Sequence, residues 1–270
     1  MTARSVHLFQ FESYQIAYRK FGRGQSVLIA FHGFGQTGQV YLPIETYLAS
    51  QFTVYAIDLF FHGNSYYPDN KPLSEASWWR LLDAFLLEQR IERFSLMGFS
   101  LGGRFALSMV EGFSDQLDQL ILIAPDGIIV NGWYRLATGS GPGRFLFRYG
   151  LKHLSILYGL GHLLTRLGLL NRTVMRFAEI SLHTAKQRER VYQSWTQFRC
   201  IKPNLDSISH SLNTKAISVH FFVGAFDRLV PGTYISPLTQ KIRRFKLTVL
   251  KTGHNRLIEL AAEKLINSAI

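Results

Sequence analysis

Short apolar runs alternate with longer amphipathic segments over the first half of the chain, and this alternation constrains the fold more than any other feature. The apolar runs have the length of buried strands and cover residues 27–31, 53–57, 94–97 and 120–124. The segments between them have helical spacing and cover residues 40–50, 74–90 and 101–112. Because apolar strands that alternate with helices are covered on both faces, the pattern predicts an α/β fold with a mostly parallel central sheet.

The pattern changes after Pro125. Residues 128–205 have helical spacing and almost no strand character. Further strands are predicted for residues 217–223 and 246–250, and further helices for residues 233–243 and 255–268. An antiparallel hairpin at the sheet edge is predicted for residues 6–11 and 14–19. The predicted organisation is therefore a core of residues 1–127 and 206–270, interrupted by a helical insertion of residues 128–205.

Ser100 lies in the segment GFSLG, a G-x-S-x-G pattern between a predicted strand and a predicted helix. In this context a sharp strand-to-helix turn lifts the serine hydroxyl out of the sheet in strained backbone geometry. Side chains at Gly98 and Gly102 would collide with neighbouring backbone, and Gly103 lets the helix pack closely on the strands. An alternative is a plain strand–helix connection with an N-capping serine. We predict that Ser100 is a catalytic nucleophile.

A serine hydroxyl needs an adjacent base to act as a nucleophile at neutral pH. Among the nine histidines, only His254 follows the last predicted strand in a turn-like setting, TGHN. The base in turn needs a carboxylate to fix its tautomer. Asp227 and Asp126 each follow a predicted strand, where sheets of this kind bind ligands. The order Ser100, Asp227, His254 favours Asp227, but Asp126 would preserve the order and stays an alternative.

A glycine-rich loop, HGFG at residues 32–35, follows the strand predicted at residues 27–31. Such a loop can direct backbone N–H groups toward the same end of the sheet. We expect the N–H groups of Phe34 and Leu101 to form an oxyanion hole, in which one donor contributes about 3–4 kcal/mol to transition-state binding.

Four motifs in this order resemble the α/β-hydrolase-fold superfamily: HGFG, DLFFHGNS at residues 58–65, GFSLGG, and the pair GAFDRLVP and TGHNRLIE. The resemblance covers nearly the whole chain outside the helical insertion, and it implies a serine hydrolase with a helical lid. In such proteins the positions of Asp58 and His62 brace a turn, and we expect His32 to brace its loop in the same way.

The helical insertion carries most of the chain's charge. Residues 128–205 contain twelve Lys and Arg but only two acids, Glu179 and Glu189, so they hold +10 of the formal +12. Arg144, Arg148 and Lys152 share one helical face. Three interpretations stay open: a lid with a solvated basic edge, a helix that contacts an anionic membrane surface, and an electropositive funnel for an anionic substrate.

The expected reaction is hydrolysis of a carboxylic ester, with an acyl-lipid ester as one candidate. The string G-x-S-x-G-G-R, which ends at Arg104, also resembles the menaquinone-pathway synthase. That resemblance supports an alternative, a lyase or C–C hydrolase that uses the same triad on an anionic substrate. Phe99 and Arg104 are then candidate substrate-binding residues. Arg104 could equally be a surface arginine of the helix.

Motifs and composition also bear on cofactors, partners and localisation. No metal or cofactor motif such as H-E-x-x-H or paired cysteines occurs, and no nucleic-acid-binding motif accompanies the positive charge. We expect no transmembrane helix and no signal peptide, and we therefore expect a cytoplasmic protein that can lie at the inner membrane surface. The single cysteine, Cys200, is expected to be a small buried or half-buried side chain.

Overall fold

The computed structural model describes residues 5–68, 71–130 and 132–266. It contains a sheet of eight strands: β1 (His7–Phe11), β2 (Tyr14–Phe21), β3 (Ser26–Phe31), β4 (Phe52–Ile57), β5 (Phe94–Phe99), β6 (Leu117–Ile123), β7 (Ser218–Gly224) and β8 (Lys246–Leu250). The spatial order is β1-β2-β4-β3-β5-β6-β7-β8. Strand β2 pairs antiparallel with β1 and β4, and every other pairing is parallel. The mostly parallel sheet and the antiparallel hairpin at its edge are confirmed.

The helices of the described residues are α1 (Glu45–Leu48), α2 (Glu75–Glu88), α3 (Leu101–Phe113), α4 (Gly132–Gly139), α5 (Gly141–Lys152), α6 (Leu154–Arg166), α7 (Arg172–Ser181), α8 (Ala185–Gln197), α9 (Leu205–Thr214), α10 (Ser236–Thr239) and α11 (Leu257–Ile266). Helix α2 begins where Ser74 accepts a hydrogen bond from Ser77 N, as an N-cap should. None of these helices has the length and apolar content needed to cross a membrane.

Three predicted helices differ from the structure. The helix predicted for residues 40–50 is divided into a 3-10 segment, Gly38–Ile44, and the single turn of α1. Pro43 interrupts the α-helical hydrogen bonding there, because it has no backbone N–H. The helix predicted for residues 233–243 is likewise divided, into a 3-10 segment, Gly232–Ile235, and α10, whose second residue is Pro237. The predicted helix 255–268 begins with a 3-10 turn, His254–Arg256, and its last two residues lie outside the described residues.

The described chain clusters into two compact units. The core unit holds residues 5–68, 74–129 and 201–266, and the helical unit holds residues 71–73, 130 and 132–200. The helical unit contains α4 to α8. The predicted role of this segment as a lid stays a prediction.

The centre of the core unit is buried between the sheet and its helices. Fully buried aromatic side chains dominate it, among them Phe31, Trp78, Phe105 and Phe222. Because parallel strands run in one direction, the carboxyl ends of β3, β4, β5, β6, β7 and β8 all lie at the same edge of the sheet. The loops that carry the predicted site residues leave from that edge.

The prediction for Cys200 is wrong, because its thiol is exposed. Cys200 ends a short 3-10 turn that begins at Phe198. The larger Phe198 ring is the buried member of that turn, so the cysteine faces solvent.

Candidate active site

Ser100 occupies the turn between β5 and α3 in a conformation that side chains rarely adopt, with φ 50° and ψ −117°. Its backbone extends the pairing of β5 with β6, since Ser100 N donates to Ile123 O over 3.0 Å. Ser100 O accepts hydrogen bonds from Gly103 N at 2.8 Å and Asp126 N at 2.9 Å. Three backbone hydrogen bonds therefore hold this residue in its strained geometry.

The glycines around Ser100 are required by close backbone contacts, as predicted. A Cβ on Gly98 would lie 2.7 Å from Gly102 O, and one on Gly102 would lie 1.9 Å from Phe31 O. A Cβ on Gly103 would lie 2.6 Å from the Pro125 side chain. The start of α3 is thus pressed against the ends of the strands, and its first N–H, that of Leu101, is one of the amides that have no acceptor inside a helix.

His254 and Asp227 form a short hydrogen bond of 2.6 Å between Nδ1 and Oδ2. The other carboxylate oxygen of Asp227 accepts Leu229 N at 2.9 Å and Val230 N at 3.0 Å. The Asp227 side chain is fully buried and the His254 side chain is 13% exposed. Because Nδ1 donates to the carboxylate, Nε2 is the nitrogen that can accept a proton.

The loops that carry Asp227 and His254 are joined to each other and to the Ser100 turn. Phe226 N donates to Thr252 O over 3.0 Å, and a Cβ on Gly224 would lie 2.7 Å from the same oxygen. The Phe99 ring lies 4.9 Å from the His254 ring, centroid to centroid. The residue that precedes Ser100 therefore packs directly against the base.

Asp126 has a different partner from Asp227. One of its carboxylate oxygens lies 2.6 Å from Arg104 Nη2, and the other accepts Gly127 N at 2.8 Å. Arg104 is only 6% exposed, so the interpretation of Arg104 as a surface arginine is wrong. The close packing of α3 on the residues after β6 buries its side chain. Of the two aspartates, the structure brings Asp227 to His254 and Asp126 to Arg104.

Two buried histidines hold the glycine-rich loop, HGFG. His32 Nδ1 donates to Gly33 O over 2.7 Å, and its Nε2 accepts Leu59 N at 2.9 Å. His62 Nδ1 donates to Phe60 O, and its Nε2 accepts Gly35 N at 3.0 Å. Each ring therefore donates with one nitrogen and accepts with the other, as a neutral imidazole does. The bracing role predicted for His32 is confirmed.

Asp58 ties the DLFFHGNS turn to its neighbours. Its Oδ1 accepts Gly38 N at 2.6 Å and lies 3.1 Å from Arg19 Nη1. Burial raises the pKa of the Asp58 carboxyl, and the Gly38 N–H and the Arg19 charge oppose that rise. A Cβ on Gly63 would lie 1.8 Å from Oδ2, so only glycine fits there. The structural role predicted for Asp58 is confirmed.

Sequence reasoning missed two residues that shape this end of the sheet. Tyr41 is fully buried and its hydroxyl donates to Phe31 O over 2.8 Å, at the end of β3. Gln36 Oε1 accepts Gly33 N at 3.1 Å. For Tyr41 no local pattern carried the signal, because its partner is ten residues away. For Gln36 the signal was present: a glutamine three residues after a loop glycine can cap that glycine's amide.

The remaining predicted site residues take these positions. Phe99 is buried beneath His254, and the Phe34 ring packs edge-on against His62 at 5.5 Å. The parts assigned to Phe34 and Leu101 N–H in binding an oxyanion, and to Phe99 and Arg104 in binding substrate, stay predictions.

The family model described as the alpha/beta hydrolase fold matches residues 26–260, and the chain belongs to this family. A crystal structure of a hydrolase from Pseudomonas aeruginosa superposes with a TM-score of 0.69 at 17% identity, over 99% of this chain and 98% of that one. At this identity the likeness shows the fold alone.

Curated relatives match over shorter stretches. A pimeloyl-[acyl-carrier protein] methyl ester esterase from Aliivibrio salmonicida is 34% identical over 110 residues, which are 40% of this chain and 40% of that protein. A 2-succinyl-6-hydroxy-2,4-cyclohexadiene-1-carboxylate synthase from Pectobacterium atrosepticum is 35% identical over 99 residues, 36% of this chain and 38% of that protein. The matched stretches thus span less than half the length of these relatives.

Proposed function

We propose that this protein hydrolyses carboxylic esters through a Ser100–His254–Asp227 triad. One observation carries the proposal: the 2.6 Å bond between His254 and a buried, hydrogen-bonded Asp227, on a loop packed against the strained Ser100 turn. A base with a fixed tautomer, on a loop in contact with the turn that carries a serine, is the arrangement that nucleophilic acyl transfer uses.

In the first half of the reaction, Ser100 Oγ attacks the ester carbonyl carbon while its proton moves to His254 Nε2. The carbonyl oxygen becomes an oxyanion, and the N–H groups of Leu101 and Phe34 stabilise its charge. The C–O bond to the alcohol then breaks, and His254 gives its proton to the departing alkoxide. The product of this half is an acyl group bonded to Ser100.

In the second half, water takes the place of the alcohol. Its oxygen attacks the acyl carbon and its proton passes to His254 Nε2. The bond between the acyl carbon and Ser100 Oγ then breaks, the proton returns to Oγ, and a carboxylic acid leaves. Asp227 keeps its charge throughout and stabilises the imidazolium form of His254.

The methyl ester esterase among the curated relatives supports an ester as the substrate. The test is hydrolysis of p-nitrophenyl esters with acyl chains of two to twelve carbons. We expect turnover with at least one chain length and none in Ser100→Ala. An absence of turnover at every length would contradict the proposal, and the preferred length would define the acyl group.

A lyase or C–C hydrolase on the same triad is the second candidate. The synthase among the curated relatives favours it, as does the G-x-S-x-G-G-R string. Against it, Arg104 is buried and paired with Asp126 at 2.6 Å, so its charge already has a carboxylate inside the protein. A protein that reacts with a fluorophosphonate probe but cleaves no ester would favour this candidate over the esterase.

A further inference from the structure

Helix α6 presents an apolar stripe to solvent. Ile156, Leu160 and Leu163 on the helix and Leu167 just after it are between 52% and 62% exposed. At about 100° per residue, these positions fall within an arc of about 60°. They therefore form one continuous line of aliphatic side chains, which is unfavourable in water.

The opposite side of α6 already has a packing partner within the helical unit. A Cβ on Gly161 would lie 2.6 Å from Met175 Sδ on α7, and Met175 is buried. The helix still has no buried residue of its own. The exposed stripe is thus a second apolar side, and the folding of the unit does not require it.

Two other helices of the unit also expose apolar side chains. Helix α7 exposes Phe177 and Ile180, and α5 exposes Phe145, Leu146 and Tyr149. Several aliphatic and aromatic side chains are thus exposed on three helices of the same unit. Exposed apolar surface of this extent marks a site of interaction with another molecule or a membrane.

The charges beside this surface indicate the kind of partner. Arg166 is the last residue of α6, and Arg172 and Arg176 lie on α7. All three are exposed, and among the described residues none of them forms an ion pair. Of the two acids in residues 128–205, Glu179 lies 3.3 Å from His162 Nε2. Cations next to exposed aliphatic side chains complement a surface that has anionic groups above an apolar layer.

We propose that the α6 stripe, defined as Ile156, Leu160, Leu163 and Leu167, docks the protein on a membrane that contains anionic phospholipid. The stripe enters the boundary between headgroups and acyl chains, and Arg166, Arg172 and Arg176 lie at the level of the phosphates. The stripe and the three arginines lie in the helical unit, whereas Ser100, Asp227 and His254 lie in the core unit.

The test is flotation of the full-length protein with two kinds of vesicle, phosphatidylcholine alone and phosphatidylcholine with phosphatidylglycerol. We expect binding to the phosphatidylglycerol vesicles at low salt and its loss near 1 M salt, where charge interactions are screened within about 3 Å. Binding to both vesicle types with equal affinity, or to neither, would overturn the proposal.

Two pairs of variants separate the apolar and the charged contributions. Leu160→Ser/Leu163→Ser should weaken vesicle binding at least tenfold, whereas the control Leu8→Ser/Leu87→Ser, at two exposed leucines of the core unit, should stay within twofold. Arg172→Gln/Arg176→Gln should weaken binding about fivefold for each cation removed. Its control is Arg243→Gln/Arg244→Gln, two exposed arginines of the core unit.

Circular dichroism and p-nitrophenyl ester hydrolysis of each variant verify that it is folded. Unchanged vesicle binding by a folded Leu160→Ser/Leu163→Ser variant would overturn the proposal. So would a wild-type dimer, seen by analytical ultracentrifugation, that this variant dissociates, because a second copy of the chain would then cover the stripe.

Discussion

Helices α3 and α6 have the same length and opposite surroundings. Ten of the thirteen residues of α3 are buried, whereas none of the thirteen residues of α6 is. Helix α3 follows Ser100 and is held by close contacts with the strands, while α6 directs a line of aliphatic side chains to solvent. The comparison indicates that packing constrains the sequence of α3 around the candidate site, whereas packing buries no residue of α6.

The largest expected effect distinguishes the two candidate triad aspartates, Asp227 and Asp126. Asp227→Asn should lower kcat/KM for ester hydrolysis about 10⁴-fold, because His254 loses the carboxylate that fixes its tautomer. Asp126→Asn should keep most of the activity and lower the melting temperature instead, because the buried Arg104 loses its ion pair with Asp126. Steady-state kinetics and calorimetry on both variants check this, and equal losses of activity would contradict the assignment.

Glycine-to-alanine changes probe the packing of the two helices. Gly102→Ala should cost about 3 kcal/mol or more of folding free energy, since its Cβ would lie 1.9 Å from Phe31 O. Gly159→Ala, in α6 with nothing within 4 Å of its Cβ, should instead stabilise by up to about 1 kcal/mol. Chemical denaturation measures the free energy of unfolding of both variants. A change of the same sign in both would contradict the difference in packing between α3 and α6.

Leucine-to-alanine changes test the same difference in packing between α3 and α6. Leu107 on α3 is fully buried, so Leu107→Ala should cost about 2–5 kcal/mol. Leu160→Ala, at a side chain that is 54% exposed, should change stability by less than about 0.5 kcal/mol. Urea unfolding measures both, and a large loss for Leu160→Ala would mean that the stripe is part of a packed core.

The last prediction concerns the pH dependence of stability at His220, which lies in β7 away from the candidate site. Burial, assisted by the Lys246 charge, lowers the pKa of His220 from 6.5 to about 4. The neutral ring is therefore favoured in the folded state, and its contribution to stability is present above pH 6.5 and is lost as the pH falls toward 4. Since the ring is partly exposed, we expect a loss of about 1 kcal/mol.

His220→Gln is the variant that isolates this contribution. Its free energy of unfolding should fall less than that of the wild type between pH 7 and pH 4. Parallel curves for the two proteins, measured by urea unfolding at each pH, would contradict the assignment to His220.

The fold was largely predictable because its signals are local. The central strands of the sheet are apolar runs, and the glycines of GFSLGG predict the turn that holds Ser100. The 3-10 segment Gly38–Ile44 was not predicted, because Pro43 overrides the apolar spacing around it.

The sequence named the residues of the candidate site but not the contacts that support them. Asp227 and His254 follow strands and could be named from the sequence, whereas the choice between Asp227 and Asp126 depended on which one reaches His254. The solvent exposure of Tyr41, Arg104 and Cys200 could not be predicted from the sequence. It depends on residues that are distant in the chain or on how one turn orients its side chains. The outward direction of the α6 leucines could not be inferred, because both sides of that helix are apolar.

The reactivity of Ser100 tests the central claim most directly. The wild-type protein is incubated with a fluorophosphonate, and intact mass and peptide mapping locate the adduct. We predict one adduct per chain, on Ser100, and none in Ser100→Ala. An unlabelled wild-type protein, or a labelled Ser100→Ala variant, would contradict the account.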